Sequence, residues 1–173
     1  MGITTSLCTS FKKEILEGTH QLGTHQLRVA LIKNSPSGTF DKTTANYSDL
    51  GSDEVATGGN YTRDNSANNL TTGSVSVSHD ATSGRAYVDL PDLTFNNVTL
   101  SADGCLIYNT GASSKAVAVI DFGGTVSATA GDLTIKFPDP TTNGSAAIQN
   151  CYWCCYKLCH SSCTGRWSRD RHY

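Results

Sequence analysis

Near the start of the chain, apolar residues recur at Leu7, Cys8, Phe11, Ile15 and Leu16, the three-and-four spacing of one helix face. Thr5 or Ser6 is available as N-cap, and Gly18 stands where a left-handed C-terminal residue belongs. The pattern predicts a helix over about 6–17 with both Phe11 and Leu16 packed. From Leu27 the period switches from 3.6 to 2, and residues 27–33, 74–78, 85–90, 98–109, 115–122 and 132–137 read as strands. Turn-rich pieces separate them: SPSGTF, DATSGR, NTGASS and GGTVSATAGD. No long helical pattern falls between strands, which argues against parallel βαβ units. The expectation is a mainly β chain, an antiparallel β-sandwich or Greek-key barrel with one N-terminal α-helix on an edge or face and a Cys-rich C-terminal extension.

Alternation within the strands points Val29, Leu31, Tyr87, Leu106, Tyr108, Val117, Val119, Leu133, Ile135 and Phe137 inward, while the run AVAVI (116–120) is apolar enough to be buried on both faces. Residues 34–73 follow neither period. This stretch is polar and longer than an ordinary connection, so it reads as an exposed functional loop or an arm that orders on a partner.

Charge and cysteine divide the 173 residues unevenly. Residues 1–150 hold nine Lys and Arg against fourteen Asp and Glu, whereas 151–173 hold Lys157, Arg166, Arg169 and Arg171 against Asp170. Cys151, Cys154, Cys155, Cys159 and Cys163 also lie in that basic end, leaving Cys8 and Cys105 in the acidic body. The linker-like PDPTTNGSAA (138–147) precedes the change, so the reading is a β-rich structural domain over 1–148 and a Cys-rich basic tail over 149–173. A net charge of −2 gives no general attraction to nucleic acid or to an anionic membrane, and no apolar run approaches the length of a membrane span.

Candidate chemistry is sparse. Gly58-Gly59 and Gly123-Gly124 lack the strand, helix and Lys of a phosphate cradle, and neither GxSxG nor HExxH occurs. His20 and His25 fall in a tandem pentapeptide, GTHQLGTHQL (18–27), which is too short for a repeat architecture and is assigned no chemistry. His79, Asp80, Asp89, Asp92 and Asp121 read as solvated turn residues. The tail offers a zinc set in Cys151, Cys154, Cys159 and Cys163, with His160 beside them. Only three residues separate Cys155 from Cys159, too few for the usual fold-back, so no metal and no cofactor is expected. Disulfides and free thiols are the other readings of these cysteines, and the odd count leaves one unpaired or intermolecular. Tyr47, Glu54, Tyr61 and Arg63 in the long loop, with Tyr152, Trp153, Arg166 and Trp167 in the tail, are the residue types favoured at interfaces and form the candidate contact set.

In order along the chain, MGITTSLCTSFKKEILEGTH, LRVALIK, TTANYSDLGSDEVATGGNYT, RAYVDLPDLTF with ADGCLIYN, and KAVAVIDFGG with TAGDLTIKFP resemble a family of small structural proteins encoded by tailed bacteriophages. The resemblance covers about residues 1–148. It implies a mostly β virion component without enzymatic activity, assembled in the host cytoplasm: a capsid decoration (cement) protein, or a head-tail, tail or fibre piece. The implied partners are the major capsid protein or other virion proteins and further copies of the chain, a cyclic trimer fitting a local three-fold site. A glycan-binding module at a fibre tip is the alternative from another class. The RDNSANN stretch after the GGNYT turn and the GTHQL duplication depart from the family's pattern, and the tail lies outside the resemblance.

Overall fold

The computed structural model describes residues 2–70, 75–140, 146–151 and 154–157. These form β1 (Gly2–Ile3), β2 (Ser6–Leu7), α1 (Thr9–Leu16), β3 (Leu27–Lys33), β4 (Thr39–Phe40), β5 (Ser76–Asp80), β6 (Arg85–Asp89), β7 (Leu93–Asn109), β8 (Lys115–Ile135), β9 (Ile148–Cys151) and β10 (Cys154–Lys157). The chain is mainly β. One four-stranded sheet runs β2-β8-β7-β3 and a second runs β10-β9-β6-β5, both antiparallel, while β1 and β4 form a short parallel pair.

The first sheet is built on the β7–β8 hairpin. Asn109 pairs with Lys115 next to its turn, and the ladder continues to Leu93 opposite Ile135. At its base, β3 pairs along β7 from Leu27 opposite Asn109 to Lys33 opposite Ala102, while β2 pairs with Ala118 and Val119 on the other edge. Residues 105–109 and 116–119 are therefore buried on both faces, as the run AVAVI implies, although Ile120 itself is partly exposed. Of the residues pointed inward by alternation, Tyr87, Leu133 and Phe137 are only half-buried.

The strand expected over 115–122 does not stop at Gly123. β8 continues through GGTVSATAGD, because residues between Asp121 and Val126 are accommodated as a bulge opposite Ala102–Gly104, and a second irregularity follows at Ala130. Glycines and small polar residues that read as a turn thus bend one long strand. At the chain's other end, β9 pairs with β6 from Ile148 opposite Val88 to Asn150 opposite Ala86. Ala146, Ala147, Ile148 and Gln149 are buried, so the boundary read between 148 and 149 falls inside a strand of the body.

The helix is shorter than its sequence pattern. Ser6 and Leu7 are consumed as a strand and Cys8 donates its N–H to the Val117 carbonyl at 3.0 Å, so α1 begins only at Thr9, with Cys8 as an N-cap that makes no side-chain bond. Gly18, at φ +74°, follows the helix end. Leu7, Cys8 and Phe11 are buried, but Leu16 is 80% exposed and Glu14 is buried instead. The inward face therefore passes through Phe11 and Glu14, and the expectation for Leu16 is corrected.

The stretch 34–73 is also corrected as far as it is described. It is not exposed throughout: 3₁₀ turns at 47–53 and 66–68 lie on the body, and Phe40, Leu50, Val55, Tyr61 and Leu70 are buried. Bridges from Glu54 to Ile32, Asn69 to Arg28 and Asn46 to Lys115 tie it to β3 and β8.

Truncating Phe11 to Ala removes a fully buried ring and is expected to cost about 3–5 kcal/mol. Leu16→Asp, by contrast, is expected to change stability by no more than about 0.5 kcal/mol. Urea unfolding of the two variants checks both; equal losses would show that Leu16 is packed.

Candidate functional site

Four of the residues singled out from sequence do come together, but around a buried carboxylate. Glu54 is 3% exposed, and its Oε1 and Oε2 accept hydrogen bonds from Tyr61 Oη at 2.8 Å and Tyr47 Oη at 2.6 Å. Arg63 lies alongside, with Nε 3.8 Å from Glu54 Oε2. Its guanidinium is held by backbone: Nε donates to the Val55 carbonyl at 2.9 Å, and Nη2 donates to the Glu54 carbonyl. Local sequence explains the convergence. The 3₁₀ turn at 47–53 is closed by a capping box in which Asn46 and Asp49 exchange side-chain and backbone bonds, bringing Tyr47 back toward Glu54. Gly58 and Tyr61 then exchange backbone bonds at 2.9 Å in each direction, turning Tyr61 under the loop.

Both rings are occupied on the inside. Tyr47 stacks on Tyr108 with centroids 4.6 Å apart, and Tyr61 meets Phe95 edge-on at 5.7 Å. Tyr61 Oη also accepts the Leu31 N–H at 3.1 Å, fastening the loop to the middle of β3. Burial pushes the Glu54 carboxyl above its ordinary value, and the hydrogen bonds from Tyr47 and Tyr61 and the Arg63 charge only partly oppose it. Burial and the Glu54 charge push the Tyr61 phenol well up. Such phenols are donors at neutral pH. With its oxygens occupied, Glu54 is arranged as a pin and not as a free general base.

Three further pins escaped sequence reading. Asp53, 5% exposed, receives Ser37 N–H at 3.1 Å, Ser37 Oγ at 2.9 Å and Gly38 N–H at 2.7 Å, and its Oδ1 lies 2.8 Å from Lys33 Nζ. The Lys33 bond leads the interactions that hold this carboxyl far below the usual range. Asp64 Oδ1 accepts from Arg28 Nη1 at 2.6 Å and from Tyr108 Oη at 2.7 Å. On α1, Glu14 meets His20 Nε2 at 2.9 Å and Lys115 Nζ at 2.5 Å. Burial raises the Glu14 carboxyl, but these two partners more than offset it and leave it lowered. For Asp53 and Asp64 the only sequence signal is an acidic residue near a turn rich in Ser, Gly, Thr and Asn, and Glu14 sits inside the helix pattern.

Glu54 and Tyr61 therefore do not present a surface in this chain; Tyr47 and Arg63 are part-exposed. In the zinc set, Cys151 and Cys154 are opposite each other in the β9–β10 register, while Cys159 and Cys163 lie outside the described residues, as do Tyr152, Trp153, Arg166 and Trp167. Among the described residues no group of three or more His, Cys, Asp or Glu is placed to hold a metal, and no helix is long and apolar enough to cross a membrane. Cys8 and Cys105 are free and buried; burial pushes each thiol up to about 12, which makes them poor nucleophiles.

Tyr61→Phe keeps the ring but leaves Glu54 Oε1 and the Leu31 N–H without the phenol. The expected loss is about 2–3 kcal/mol, read as a lower urea midpoint with an unchanged slope. A change within about 0.5 kcal/mol would show that the pin does not hold the loop.

In comparison with known proteins, no family model, no curated protein and no solved structure matches the chain.

Proposed function

We propose that the chain is a non-enzymatic structural component of a tailed-phage virion, a capsid decoration protein that stabilises the shell through contacts between subunits. The observation that carries this reading is the outer edge of β8. β2 covers it only at Ala118 and Val119, and no other strand pairs with it out to Ile135 among the described residues. Along this ribbon lies an apolar groove of about 190 Å³ lined by Ile120, Phe122, Val126, Leu133, Thr134, Ile135 and Lys136. An edge of unpaired backbone groups beside a groove is suited to adding a strand from a neighbouring subunit. The resemblance over residues 1–148 supplies the setting, and the two four-stranded sheets are read as the layers of a β-sandwich.

The ribbon's polar positions fit the same role. Thr94 and Thr134 pair through their hydroxyls at 2.9 Å, and Ser101 and Ser127 at 2.7 Å, and Asp103 and Asp132 accept from Thr125 Oγ1 and the Asn97 N–H across the strands, so cross-strand contacts stiffen it. The neighbours are the major capsid protein or further copies of this chain, with a trimer at a local three-fold site. Placement in a tail, neck or fibre is the alternative. A glycan-binding version of it loses support from Tyr47 and Tyr61, because their rings are engaged inside the loop.

Quantitative peptide mass spectrometry of purified particles tests the assignment. Copy numbers comparable with the major capsid protein are expected; about a dozen copies would move the protein to the neck or tail, and absence from clean particles would overturn the virion reading. Val126→Lys places a charge in the groove. It is expected to abolish particle binding while leaving the monomer's urea midpoint unchanged, and retained binding would sink the edge as the contact.

A further inference from the structure

The repeated pentapeptide GTHQLGTHQL brings its two histidines to one side chain. His20 Nδ1 lies 3.0 Å and His25 Nδ1 3.2 Å from Asn109 Nδ2, at the end of β7. The Gln21 backbone N–H also faces His25 Nδ1, at 3.4 Å. A backbone N–H can only donate, so His25 Nδ1 is an acceptor and carries its proton on Nε2. Asn109 Nδ2 has two hydrogens, one for each ring. His20 Nδ1 then accepts the second, and its Nε2–H donates to Glu14 Oε2 at 2.9 Å. In this arrangement Asn109 Oδ1 is buried without a partner. The amide is held in an orientation that satisfies both neutral imidazoles at the expense of its own oxygen.

Protonation inverts the pattern. A charged imidazole donates from both nitrogens, so Nδ1–H would meet the Asn109 amino group, and at His25 the Gln21 N–H as well. Glu14 faces His20 from α1, Lys115 from β8 bonds Glu14 at 2.5 Å, Asn109 comes from β7, and Phe11 packs edge-on against the His20 ring at 4.8 Å. Glu14 favours a charge on His20, whereas Lys115 and His25 oppose it, and burial, the largest influence, disfavours it; the balance lies below the ordinary histidine value.

We propose that His20 and His25, joined through the Asn109 amide, are a proton-operated clamp that holds the 18–26 turn and α1 against the β7–β8 turn when neutral and releases them when protonated. The clamp is tightly seated. A Cβ on Gly111 would lie 2.6 Å from His25 Cγ, and Thr110 N–H and Oγ1 both donate to the Gln26 carbonyl, at 3.0 and 2.9 Å. The device stands apart from the assembly role and does not rest on it.

The sign follows from linkage. A histidine held below its unfolded value contributes stability that is present above about pH 6.5 and lost as the pH falls, because the unfolded chain then binds the additional proton. For His20, the folding constant is expected to drop by up to about tenfold per pH unit below that value until the folded-state value is reached.

Two measurements on the full chain test it. Nitrogen-15 NMR of labelled histidines, assigned with His20→Gln and His25→Gln, is expected to show both rings protonated on Nε2 at pH 8; a proton on either Nδ1 would overturn the clamp. Urea unfolding from pH 8 to 5 is expected to show the wild type losing stability more steeply than the H20Q/H25Q double variant, and parallel curves would overturn it. Asn109→Asp, an acceptor of the same shape, is expected to reverse the slope and gain stability as the histidines charge. A wild-type slope in that variant would count against the clamp; if the variant does not fold, the tautomers and the wild-type comparison decide.

Discussion

The antiparallel ladder between residues 104–109 and 115–121 is the constraint on which the rest of the molecule depends. Its residues 105–109 and 116–119 are buried on both faces and its edges are taken by β3 and β2, so it acts as a wall to which the other pieces of that sheet and its loop are attached. β3 then becomes the attachment line for the long loop, through Arg28, Leu31, Ile32 and Lys33. The hairpin's turn is the attachment point for the helix, through Asn109 and Lys115. The loop also reaches the ribbon beyond the wall: Thr99 donates its N–H to the Gly59 carbonyl at 2.9 Å, and a Cβ at Gly59, whose φ is +53°, would meet the Thr99 carbonyl.

What attaches these pieces is mostly carboxylate, and the cost of burying a charge explains how. Asp53, Glu54 and Glu14 are each less than a tenth exposed, and each is compensated by two or more donors, some as near as His20 to Glu14 and one as far as Lys115. A polar group that serves two partners at once is what fixes geometry. Tyr61 Oη links Glu54 to the β3 backbone, and Asp64 joins Arg28 to Tyr108, whose ring carries Tyr47. Removing one member leaves the others buried and unpaired, so the loop's polar residues act as a unit.

The strands were legible because the apolar runs at 29–32 and 116–119 record burial directly. The helix was legible in kind but not in face. Leu16 lies five positions beyond Phe11, about 140° round the helix, and counts as apolar in a pattern search whatever it faces. Glu14 belongs to the true inner face, but the partner that permits its burial is Lys115, far along the chain. The loop hid for the same reason. Its buried residues, Phe40, Leu50, Val55, Tyr61 and Leu70, follow no period, and its pins are acidic residues that ordinarily signal solvent. Tyr47, Glu54, Tyr61 and Arg63 were found together in sequence as contact residues; they are in contact, but chiefly with one another.

The pins differ in how they meet protons. The carboxyls of Asp53 and Glu14 are held below their ordinary values, so mild acid leaves both charged and bonded. Glu54 is shifted upward by burial, so protonation there relieves a cost: its contribution is fully present below the unfolded value and lost as the pH rises through the folded one. His20 is shifted downward by burial and has the opposite sign, contributing above its unfolded value and losing that contribution as the pH falls. Acidification therefore does not loosen the fold evenly. It leaves the loop on β3 while it loads charge onto the joint between helix and hairpin turn, where two histidines and one amide meet. A chain that keeps its loop fixed and its helix joint proton-sensitive can change one surface without dissolving the sheet that presents the other.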